Sequence, residues 1–86
     1  MVKVSFTLAD LTEGQSGHIR GISVSSPLGQ RLLDLGFTPG TEVTALRRAP
    51  LGDPTTFLIR GYRIGLRKQE ADIVDLSPPR TNDGPT

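Results

Sequence analysis

The chain has 86 residues, with ten Lys and Arg against nine Asp and Glu, one His and no Cys. That length supports one domain around a single small core, and the lack of cysteine excludes a disulfide scaffold and a thiolate metal site. A formal net charge of +1 lacks the basic excess of a dedicated nucleic-acid binder. No stretch is apolar for long enough to cross a membrane, and MVKVSFTLADL lacks the apolar run of a secretion signal, so the expectation is a cytoplasmic chain without membrane insertion.

From the N-terminus, Leu8-Ala9-Asp10-Leu11 reads as one turn of helix or as a segment plugging the end of a barrel. Glu13-Gly14-Gln15 and Ser16-Gly17 are turn chemistry. His18–Ile22 is a strand, with Ile19 on one side and His18 and Arg20 on the other. Gly21 marks a bulge or a close backbone approach.

The strongest local signals lie between Ser25 and Gly40, SSPLGQRLLDLGFTPG. Ser26 is placed to cap a helix, and Pro27 suits its first position. Leu28, Leu32 and Leu35 fall on one face, while Arg31 and Asp34 can pair at i, i+3. Gly36 can take the left-handed conformation that closes a helix, with Phe37 folding back on Leu32. Thr38-Pro39-Gly40-Thr41 then fits a type II turn.

Strand signals fill the rest. Glu42–Arg48 places Val43 and Ala45 on one face and Thr44 and Leu46 on the other. Ala49–Pro54 (APLGDP) is a loop, with Asp53 in an Asx-type turn before Pro54. Thr55–Leu66 is a hairpin turning at Arg60-Gly61. Phe57 and Ile59 share one inner face, and Tyr62, Ile64 and Leu66 alternate with outward residues, so Phe57 and Tyr62 are both expected inside. Arg67–Ala71 is a polar helical turn, and Asp72–Leu76 is the last strand, with Val74 and Leu76 on one face. Residues 1–76 form the expected domain. From Ser77 the chain is Pro-rich and polar and reads as a disordered tail over 77–86. The total is a mainly β chain of about five short strands with one helix after the first, a small barrel or sandwich.

Little in this sequence supports catalysis. There is no nucleophile–His–acid arrangement, and Gly14, Gly17 and Gly21 do not make a dinucleotide fingerprint. The carboxylates are scattered, and His18 has no second ligand at metal-binding spacing. The expectation is no enzyme, no cofactor and no metal ligand. Arg60, Arg63 and Arg67 form a basic stripe, but without exposed aromatics on which bases could stack. A protein-partner surface is the better reading: Leu33 lies off the helix's apolar line, and a sheet edge could take a strand from a partner. An open barrel edge also leaves room for self-association.

The ordered set LADLTEGQSGHIRGI, RLLDLGFTPGTEV, RRAPLGDP and RGYRIGLRKQEADIVDL, spanning Leu8 to Leu76, resembles the FeoA family of bacterial ferrous-iron transport proteins. The resemblance implies an SH3-like β-barrel with a Pro27–Leu35 helix inserted after the first strand. It also implies an accessory protein acting on FeoB, a membrane iron permease with a cytosolic GTP-binding domain. The same domain closes metal-dependent repressors of the diphtheria-toxin type, whose helix-turn-helix has no counterpart here. The expected docking surface is the exposed side of the helix with the loop: Gln30, Arg31, Leu33, Asp34, Leu51 and Asp53. The alternatives are a nucleic-acid-binding barrel using Arg60, Arg63 and Arg67, a regulatory domain of the repressor type, and a metal chaperone depending on His18.

Overall fold

The computed structural model describes residues 6–23 and 26–77. Its elements in chain order are β1 (Phe6–Thr7), a 3₁₀ turn (Leu8–Asp10), β2 (Ser16–Ile22), α1 (Pro27–Asp34), β3 (Glu42–Arg48), β4 (Thr55–Ile59), β5 (Tyr62–Leu66), α2 (Lys68–Ala71) and β6 (Val74–Leu76). Six strands form one sheet in the order β1-β6-β2-β3-β4-β5, and every pairing is antiparallel.

The expected barrel is present but not closed, because β1 and β5 end the sheet without meeting. The 3₁₀ turn and α2 lie against each other between those ends. Thr7 Oγ1 donates to Asp72 Oδ1 at 3.2 Å, and the Arg48 guanidinium donates to the Leu11 carbonyl at 3.0 Å. Leu8 and Leu11 are fully buried, which is the plug that their sequence suggested. They join Ile19, Leu32, Phe37, Val43, Ala45, Phe57, Ile59, Leu66, Val74 and Leu76 in one core. Each large apolar side chain buried there stabilises the fold by about 1.5–3 kcal/mol.

α1 starts and stops where its sequence dictates. Ser26 Oγ accepts from Gly29 N at 3.1 Å, with Pro27 at the first position. At the far end Phe37 N donates to Leu32 O, and Gly36 N to Leu33 O. This is a Schellman closure, and Gly36 takes φ +110° to make it. Phe37 is then fully buried. Thr41 N donates to Thr38 O, closing the following turn.

Several expectations change. The sheet has a sixth strand, β1, so α1 follows the second strand rather than the first. β2 begins at Ser16, because Ser16 and Gly17 pair with Thr44 and Val43. Gly21 does sit at an irregularity in the β2–β6 register. Tyr62 is 41% exposed rather than inside, whereas Phe57 is buried. Tyr62 sits at the open end of its strand, where its hydroxyl donates to the Leu35 carbonyl. The Arg31–Asp34 pair does not form among the described residues; Asp34 accepts from Gln30 Nε2 at 3.2 Å. Ser77, expected to open the tail, donates its N–H to His18 O at 2.9 Å. The remainder of the expected tail, 78–86, lies outside the described residues, as do 1–5 of the expected domain and Ser25.

Candidate functional site

The antiparallel order fixes where each candidate residue sits. β2 and β4 end, and β3 and β5 begin, at one end of the sheet. α1 lies at that end. Its C-terminus is held by Tyr62, as above, and by Arg60, whose guanidinium donates to Gly36 O at 3.5 Å and to Thr38 and Thr41 Oγ1 at 3.3 Å each. Arg60 takes φ +51° in the β4–β5 turn. A non-glycine residue is uncommon there, and these contacts to the end of α1 offset the strain.

The helix presents Gln30, Arg31 and Asp34 to solvent, with Leu33 half-buried beside them. Gln30 and Asp34 hold each other, while the Arg31 guanidinium makes no hydrogen bond or ion pair among the described residues. Leu51 and Asp53 belong to the loop between β3 and β4, at the opposite end of β4. The structure therefore brings Gln30, Arg31, Leu33 and Asp34 together and sets Leu51 and Asp53 apart from them. A loop following a strand that leaves α1 must lie a strand's length away, which the distance along the sequence does not reveal.

That second end has its own character. Leu51 is 95% exposed at the loop tip. Asp53, expected in an Asx-type turn, instead reaches across the chain: its Oδ1 accepts from Lys68 N at 2.7 Å, capping the first turn of α2. Its other oxygen lies 4.0 Å from the Arg67 guanidinium. Arg67 N donates to Glu70 Oε1 at 2.8 Å, completing the start of that helix. An open depression of about 390 Å³ lies over Asp53, Arg67, Lys68, Gln69 and Asp72. A crevice of about 80 Å³ beneath the loop reaches Phe57 and Leu66.

The basic stripe is divided. Arg60 is committed to the end of α1 and Arg67 lies beside Asp53, leaving Arg63 as the outward cation of β5. His18 is exposed, and no three His, Asp or Glu side chains converge among the described residues. No helix is long and apolar enough to cross a membrane. Sequence reasoning missed two exposed apolar groups on the β4–β5 hairpin, Leu58 and Tyr62. The signal available for Tyr62 was its place directly after a two-residue turn, where alternation no longer guarantees burial.

Comparison with known proteins follows the same lines. The FeoA domain family model matches residues 6–78. The Fe(2+) transport protein A/Fe(2+) transporter FeoB fusion protein of Porphyromonas gingivalis (strain ATCC BAA-308 / W83) is 29% identical over 84 residues, covering 88% of this chain and 10% of its own length. The chain thus spans about a tenth of that curated relative. A FeoA-like protein from Clostridium acetobutylicum has a similar solved structure, with 31% identity, a TM-score of 0.79 and coverage of 90% of this chain and 88% of its own. FeoA of Stenotrophomonas maltophilia, solved in complex with zinc and described as a prokaryotic SH3 domain protein, shows 27% identity, a TM-score of 0.78 and coverage of 85% and 91%.

Proposed function

The chain belongs to the FeoA family, and on that premise we propose that it is a non-catalytic, cytoplasmic accessory protein that docks on the cytosolic part of a FeoB-type permease and supports or regulates Fe(II) uptake. The observation that carries this reading is the relative in which a transport protein A and a FeoB transporter are fused in one chain. Fusion holds the two at high effective concentration, which is useful where they act by contact.

The docking surface has two separate parts. One is the exposed face of α1, with Gln30, Arg31 and Asp34 around Leu33. The other is the tip of the β3–β4 loop at Leu51, which Asp53 holds in place through the first N–H of α2. A leucine 95% exposed contributes nothing to the core and is free to enter a pocket on a partner.

The test is a titration of the purified protein against the permease in detergent, with and without guanine nucleotide. We expect saturable binding, weakened about tenfold or more by Arg31→Glu or Leu51→Asp, since one well-placed interface contact is worth ~1.4 kcal/mol or more. Both substitutions fall on exposed positions and leave the fold intact. Wild-type affinity in both variants would remove this surface, and no binding in either nucleotide state would remove direct docking.

A further inference from the structure

β5 ends the sheet, and the phase of its hydrogen bonds can be derived. Ala45 of β3 exchanges backbone bonds with Gly14 and Gln15, so Val43 and Ala45 face the β2 side and Thr44 faces β4. Thr44 lies opposite Leu58, which turns Leu58 toward β3 and leaves Phe57 and Ile59 to bond β5. The hairpin gives the same phase, because a two-residue turn over Arg60-Gly61 makes Ile59 and Tyr62 a bonded pair. Along β5, then, Tyr62, Ile64 and Leu66 direct their N–H and C=O groups at β4. Arg63 and Gly65 direct theirs away from the sheet.

Those four outward groups have no partner among the described residues. Both residues are exposed, and a Cβ built on Gly65 meets nothing within 4 Å. At the other end of the sheet, β1 has Phe6 and Thr7 among the described residues. β5 offers a five-residue edge strand without a proline or a bulge. Its charge is one-sided: residues 60–68, RGYRIGLRK, hold four cations and no carboxylate. Arg67 lies beside Asp53, but a second copy docked edge to edge would still set the two Arg63 side chains, with Arg60 and Lys68, against one another, which opposes self-pairing. An acidic strand would place its carboxylates beside Arg63.

We propose that the β5 edge is a peptide-binding site that takes an extended acidic segment of a partner protein as a seventh, edge-added strand. Arg63 and Gly65 supply the main-chain hydrogen bonds, the Arg63 guanidinium supplies the sign preference, and exposed Leu58 beside it offers apolar contact. This surface is distinct from the α1 and Leu51 surfaces and does not depend on the identity of the permease.

The experiment is NMR titration of the ¹⁵N-labelled full chain with a capped eight-residue peptide alternating Glu with Val and Thr, alongside the same peptide carrying Lys for Glu. We expect the largest shifts at the Arg63 and Gly65 amides and weakening of the Lys peptide by about tenfold or more. Gly65→Pro removes one outward donor and blocks the edge while sparing every bond to β4, and it should abolish saturable binding. Gly65→Ala keeps the N–H and fits the free space, so it should retain binding within about twofold of wild type. Absence of shifts at Arg63 and Gly65, or unchanged binding by a folded Gly65→Pro, would overturn the proposal. So would concentration-dependent shifts of these amides with a doubled sedimentation mass, which would make a second copy the occupant. A polyphosphate that binds as tightly and ignores Gly65→Pro but not Arg63→Glu would identify a simple polyanion patch and likewise overturn it.

Discussion

Gly36→Ala probes the joint on which the helix surface rests. Gly36 takes φ +110°, and forcing an L-residue into left-handed backbone costs about 1–2 kcal/mol. The added methyl also meets its neighbours: a Cβ there lies 3.1 Å from Arg60 Cδ, 3.3 Å from Arg60 Nε and 3.3 Å from the Tyr62 hydroxyl. Arg60 is an exposed, flexible side chain and will move, giving up its contacts to Gly36, Thr38 and Thr41. Those bonds are long and solvated, so their loss adds about 0.5–1 kcal/mol in all. The sum is about 1.5–3 kcal/mol, a large share of the stability of so small a domain. In a chain of this size it lowers Tm by roughly 6–24 °C. Urea and thermal unfolding followed by far-UV circular dichroism read this directly. In an Arg60→Ala background the same substitution should cost about 0.5–1 kcal/mol less, because the clash and the contacts are already gone. A cost below about 0.5 kcal/mol in the wild type would refute the backbone argument. An identical cost in both backgrounds would refute the role given to Arg60 in holding α1.

Three further substitutions test other levels of the structure. Phe57→Ala empties the centre of β4, where the ring is 1% exposed; it should cost about 3–5 kcal/mol and leave little folded protein at 37 °C, seen as loss of amide dispersion in NMR. Ser26→Ala removes the bond to Gly29 N and should cost about 1 kcal/mol, recovered in part by Ser26→Asp, which can accept the same bond. Asp53→Ala removes the cap on Lys68 N and should cost about 1 kcal/mol, with faster hydrogen exchange in α2 and unchanged exchange in α1, since the two helices occupy opposite ends of the sheet.

What could be read from the sequence is what neighbouring residues decide among themselves. α1 was legible because its cap, first residue, apolar stripe and Schellman closure all lie within Ser26–Phe37, each a local rule satisfied by a local partner. The β4–β5 hairpin was legible for the same reason, with Arg60-Gly61 setting its register. Asp53 was misread because its partner, Lys68 N, is fifteen positions away. Nothing in APLGDP distinguishes an Asx turn from a cap on a distant helix. Tyr62 was misread because alternation gives the side of a strand and not the depth along it; the same face is buried at Leu66 and open at Tyr62.

The surface shows the same division at a larger scale. Gln30, Arg31, Leu33 and Asp34 lie together because a short helix keeps neighbouring positions together. Leu51 and Asp53 were joined to them as the loop adjoining the helix, yet β3 carries the chain the length of the sheet to the other end. The free edge of β5 was still less accessible, since a strand's sequence reports what it buries and not which of its two backbone edges is paired. That fact comes from the order of six strands and from the failure of β1 and β5 to meet. Closure of that gap would have hidden Arg63 and Gly65 within a ladder. Leaving it open, with cations along it, biases strand addition at the β5 edge toward acidic partners.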